Sequence, residues 1–132
     1  MNSMSEYVKT KNQFNKRTME SQKGLKFACI LNKNGRVSEI FHEDNFDIDE
    51  KSKEMLFMET VLQANMGKDF DGDLGKLQCN VTERANGLKY ISTPLASNKI
   101  VFAVMDKQKD HNVFVKKIMC IQKYLDVSKT LE

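Results

Sequence analysis

Residues 27–41 read Phe-Ala-Cys-Ile-Leu-Asn-Lys-Asn-Gly-Arg-Val-Ser-Glu-Ile-Phe, and the fold follows from how this stretch is parsed. Phe27 to Leu31 is an unbroken apolar run of strand length, the pattern of a strand covered on both faces. Asn34-Gly35 is a dipeptide that accepts the backbone angles of a tight hairpin turn, and Val37 to Phe41 carries the chain back. A β-hairpin over 25–42 is therefore expected. Ile100 to Met105 is a second run of the same character. Two strands apolar on both sides belong in the middle of a sheet, and more polar strands belong at its edges.

Upstream, Ser3 and Glu6 have capping-box spacing and Gly24 is a natural stop, which predicts a helix over 4–22 with the thin stripe Met4, Tyr7, Val8, Phe14 and Met19. Downstream, Asp47 and Glu50 repeat the capping-box spacing and Gly67 closes a helix over 48–66. The alternation Leu77, Cys79, Val81 against Gln78, Asn80, Thr82 reads as a half-buried strand. Asn86-Gly87 turns into a strand over Leu88 to Leu95. Pro94, lacking an N–H, fits its end or an outward-facing position. Ser97-Asn98 turns again into Ile100 to Met105, and Asp110 caps a helix over 110–125 with the stripe Phe114, Ile118, Ile121 and Leu125. The expectation is one domain over 1–132, with a three-stranded meander over 76–105 and a tail at 126–132. Its order is αββαβββα and its class α/β, of α+β type. Short turns make the five-stranded sheet antiparallel with strand order 2-1-5-4-3. The first and last helices are expected on one face and the central helix on the other.

This arrangement resembles the roadblock domain family, which includes dynein light chains and small-GTPase regulators, and more distantly the profilin-type and longin-type folds. The resemblance rests on Phe27 to Leu31 leading into Asn34-Gly35-Arg36, the helix after Asp47, Gly75 before the third strand, and Pro94-Leu95 before Ile100 to Met105. It spans about Ser5 to Leu125. It implies a noncatalytic module that forms homodimers through third-strand edges and central helices and holds another protein, such as a small GTPase.

The central helix carries two apolar stripes, Met55, Met58, Leu62, Met66 and Phe57, Val61, Ala64. Together they are wider than one sheet face needs. With the methionine stripe assigned to the protein's own sheet, Phe57 and Val61 project about 100 to 160° away at 100° per residue. Phe57, Val61 and Ala64, with Leu77, Cys79 and Val81 of the third strand, are then the expected partner surface.

Composition narrows the remaining classes. A charged fraction of 30%, a hydrophobic fraction of 40% and a single Pro describe an ordinary globular chain. Its first residues lack a secretion-signal pattern and no apolar run nears the roughly 20 residues of a bilayer span. With Cys29, Cys79 and Cys120 read as buried, reduced thiols, a cytoplasmic setting is expected. The net charge of +3 hides a division into +4 over 1–26, +2 over 27–38, −8 over 39–73 and +5 over 74–132. Asp69-Phe70-Asp71-Gly72-Asp73 imitates the start of a calcium loop, but Leu74 and Asn80 stand at the sixth and twelfth positions, where Gly and Glu are needed. His42 and His111 read as surface residues. No phosphate-binding glycine loop or nucleophile with a nearby base is visible, so neither a cofactor nor catalysis is expected. Stimulation of a GTPase by an inserted arginine could draw only on Arg17, Arg36 and Arg84. The rival reading is a ligand-sensing or nucleic-acid-binding module with a basic face of Lys9, Lys16, Lys116, Lys117 and Lys123 on the terminal helices. Scarce arginine and the absence of Trp count against it, and steep weakening of binding with salt would be its mark.

Overall fold

The computed structural model describes residues 23–120. They form β1 (Leu25–Leu31), β2 (Val37–Glu43), α1 (Glu50–Lys68), a single turn α2 (Asp71–Leu74), β3 (Asn80–Glu83), β4 (Leu88–Pro94) and β5 (Ile100–Asp106). A C-terminal helix, α3, follows over 112–120. All pairings are antiparallel, in the order β2-β1-β5-β4-β3. The helix expected over 4–22 lies outside the described residues.

The two apolar runs do form the centre of the sheet. Along β5, Ile100, Phe102 and Val104 join one core cluster while Val101, Ala103 and Met105 join the other, so every residue of the run is buried. The first cluster is closed by Phe46 and α1, and the second by Phe114, Val115 and Ile118 of α3. The central and C-terminal helices thus cover opposite faces. On β1, Leu25 belongs to the α3 side and Phe27 to the α1 side, because a register irregularity between them shifts the alternation by one.

The turn in the opening hairpin is built by side chain and backbone together. Asn32 Oδ1 accepts from Asn34 N–H at 2.9 Å and Arg36 N–H at 3.1 Å, and Gly35 takes φ +78°. A Cβ on Gly35 would lie 3.1 Å from Met58 Cα, so glycine also lets α1 rest on the turn. Ser97 and Asn98 both adopt positive φ, the geometry of the tight link between β4 and β5.

Three local expectations fail for identifiable reasons. The Asp47 and Glu50 box does not form: Asp49 occupies the cap position without a side-chain hydrogen bond, and α1 is held by burial of Phe57, Thr60, Val61 and Ala64. The third strand starts at Asn80, so Leu77 and Cys79 precede it. Leu77 N–H donates to Asp71 Oδ1 at 3.0 Å instead of to a ladder, and Pro94 on β4 has no N–H to offer. The histidines are not free surface groups: His42 Nε2 lies 3.1 Å from Leu25 O, and His111 Nδ1 accepts from Lys89 Nζ at 3.0 Å. Lys89 is buried, and its ammonium also donates to Lys109 O, tying β4 to the segment entering α3.

The thiols differ from the uniform burial expected of them. Cys29 is buried in β1, Cys79 is half-buried and Cys120 is exposed, because Cys120 falls off the Phe114 and Ile118 stripe. Burial pushes the Cys29 thiol up to about 12 and raises that of Cys79. A thiol-specific reagent at pH 8 is therefore expected to modify Cys120 first, Cys79 more slowly and Cys29 only on unfolding, as resolved by mass spectrometry of quenched aliquots.

Candidate interaction surface

On α1, Phe57, Thr60, Val61 and Ala64 follow the i, i+3, i+4, i+7 spacing of a packed face, and all four are buried. Thr60 satisfies its hydroxyl by donating to Leu56 O at 2.8 Å, which lets a polar residue sit on that face. Phe57 stands over the sheet with its ring centroid 5.4 Å from Phe102 and 6.2 Å from Phe27. Lys53 reaches over the Phe27 and Phe46 rings at 6.0 and 5.9 Å, covering the open end of this aromatic cluster.

The expected orientation of α1 is therefore reversed. Phe57, Val61 and Ala64 belong to the core, and the other stripe faces out: Met55 is 67% exposed, Met58 45%, Leu62 55% and Met66 68%. The two stripes lie about 155° apart around a helix of 3.6 residues per turn. Broad aromatic and small side chains fit the sheet, whereas flexible thioethers serve well on a surface that must adapt to a partner. Beyond the helix, Phe70 and Leu74 are also exposed, at 58% and 79%. That so much large apolar surface is uncovered along one element is unusual for a chain that acts alone.

Of the strand residues expected at the interface, Val81 is exposed on β3, whose outer edge has no neighbour in the sheet among the described residues. Leu77 is half-buried, with a side-chain methyl close against Gly67, and Cys79 packs against the α3-side core. Neither presents an edge. The pocket where α1 meets β3 and β4, lined by Leu56, Thr60, Gln63, Arg84 and Tyr90, holds about 30 Å³, room for a water molecule. Of the basic-face residues, Lys116 is exposed and Lys117 half-buried on α3, while Lys9, Lys16 and Lys123 lie outside the described residues. Asp47 and Asp49 sit at the start of α1 and Asp69, Asp71 and Asp73 at its far end. Among the described residues no three metal-binding side chains converge, and no helix is long and apolar enough to cross a membrane.

Counted with Phe57, Val61 and Ala64, Thr60 completes a second four-residue face, so helical spacing alone does not say which stripe is buried.

A five-stranded antiparallel sheet with one helix over one face and α3 over the other defines a class of α+β folds. Within that class the chain has the roadblock fold. It superposes on a Roadblock/LC7 domain from Streptomyces avermitilis with a TM-score of 0.66 and 11% identity, covering 90% of this chain and 97% of that one. Similar agreement is found with Myxococcus xanthus MglB, at TM-score 0.66 and 14% identity over 92% and 96% of the two chains. Profilin IA of Acanthamoeba castellanii is more distant, at TM-score 0.51 and 12% identity over 89% and 98%. No family model matches the sequence, and no curated protein matches it.

Proposed function

We propose that this chain is a noncatalytic, cytoplasmic interaction module of roadblock type that pairs with a second copy of itself and scaffolds or regulates a small GTPase or related signalling assembly. The observation that carries the reading is the outward stripe Met55, Met58, Leu62 and Met66, with the unpaired edge of β3 as its companion. Two helices laid against each other through such stripes bury apolar surface that a lone chain leaves in water. Continuation of the sheet across β3 edges supplies hydrogen bonds to backbone groups that have no neighbour in one copy. The GTPase assignment follows the resemblance to the roadblock family, and three free thiols agree with a reducing compartment.

Leu62→Glu tests the pairing directly. In a dimer the carboxylate would be buried without a partner, whereas in one copy it stands in water. The expected result is a folded protein by circular dichroism and a monomer by light scattering. Its dissociation constant should exceed that of wild type by roughly 100-fold or more. A variant that still dimerises, or a wild type that stays monomeric at high concentration, would overturn the reading.

A further inference from the structure

A cavity of about 630 Å³ opens where β3 stops pairing with β4, within the size range of small-molecule sites. Register runs from Glu83↔Lys89 to Asn80↔Ser92 and ends there. Beyond that point the segment 75–79 leaves the sheet, since Leu77 N–H is held by Asp71 and Pro94 cannot donate across the gap. Leu77 and Gln78 form one wall, Pro94, Leu95 and Ala96 another, and Ile118 and Met119 of α3 a third.

Two features give this cavity a chemistry. Thr93 lines it and is 3% exposed, and its buried hydroxyl has no hydrogen-bond partner among the described residues. Such a group is costly to leave unpaired, and a ligand acceptor or donor would relieve that cost. Thr93 stands opposite Val101, a member of the α3-side core, so it is on the cavity's face of the sheet. The second feature is charge. Lys68 and Lys76 both line the cavity, and neither is in an ion pair among the described residues. The carboxylate that lines it, Asp71, accepts the Leu77 N–H and keeps its charge, so the lining holds two cations to one anion.

We propose that this cavity binds a small amphipathic carboxylate, its apolar body against Leu77, Pro94, Leu95, Ile118 and Met119 and its anionic end toward Lys68 and Lys76. The apolar walls select the body, the excess of ammonium over carboxylate selects the charge, and Thr93 is the buried hydrogen-bonding group. Thr93 stands on the α3 side of the sheet, and octanoate binding is read separately from self-association.

The test is an NMR titration of the full chain with octanoate, with 1-octanol as the uncharged counterpart. Saturable shifts are expected at Gln78, Thr93, Leu95 and Ala96. The double variant Lys68→Gln, Lys76→Gln is expected to weaken octanoate about tenfold or more while leaving octanol unchanged. Thr93→Val should weaken octanoate by about tenfold while raising the melting temperature of the free protein, because it removes an unpaired buried hydroxyl without changing the shape. A purely structural threonine would raise the melting temperature and leave the affinity unaltered, which overturns its role. Absence of saturable shifts at these residues overturns the site. Shifts confined to Met55, Met58, Leu62 and Met66, or affinities equal in the lysine variant and wild type, overturn it as well.

Discussion

Val61→Glu is expected to abolish cooperative folding at neutral pH. Val61 is 2% exposed, and the core cluster around it is apolar, including Phe27, Leu31, Phe57, Ile100, Phe102 and Val104. A carboxylate there has no ion-pair partner, and its desolvation costs several kcal/mol against a total stability of roughly 5–15 kcal/mol. The protein's alternative is to keep the new side chain protonated, which raises its pKa in the folded state above that in the unfolded chain. The sign of the pH effect follows: the penalty is smallest below the ordinary carboxylate range and grows as pH rises through the raised folded-state value. Thermal and urea melts check this, with a cooperative transition at pH 4.5 that is absent at pH 8. A stably folded Val61→Glu at pH 8 would return Val61 to the surface and contradict the orientation of α1. Leu62→Glu, one residue along, carries the same charge and is expected to fold.

Phe27→Ala is expected to lower stability by about 3–5 kcal/mol, the usual cost of emptying a buried phenylalanine site. Phe27 is 2% exposed and meets three other rings, with centroids 5.3 Å from Phe46 in the loop before α1, 6.2 Å from Phe57 and 6.3 Å from Phe102. Lys53 would also lose one of the two rings beneath its ammonium. For a chain of this length the melting temperature should fall by roughly 10–20 °C. Urea unfolding is expected to show a lower midpoint with an unchanged slope, because the variant still buries nearly the same total surface. A fall of only a few degrees would mean that the ring is not the hub joining β1, β5 and α1.

Alternation and turn chemistry carry the architecture on their own. Phe27 to Leu31 and Ile100 to Met105 admit no polar side, so both must be central strands, and Asn34-Gly35, Asn86-Gly87 and Ser97-Asn98 leave only short antiparallel connections. Strand order follows from those constraints with no knowledge of packing. The interaction surface does not. Met55, Met58, Leu62, Met66 and Phe57, Thr60, Val61, Ala64 both repeat at helical spacing, and periodicity assigns no stripe to a side. The choice was made by shape: Phe57 fills the space between Phe27 and Phe102, and Ala64 is fully buried. Likewise, alternation at Leu77, Cys79 and Val81 describes a strand, but Asp71 intercepts the Leu77 N–H and Pro94 withholds a donor. Local sequence thus determined which segments pair and which lie at the centre, because those depend on residues near one another in the chain. Which face of α1 meets water, where β3 begins and why a cavity opens beside Thr93 were decided by packing and by competition for hydrogen bonds, across the sheet for Phe57 and Phe27 and, for β3, between Asp71 and the Leu77 N–H six residues on.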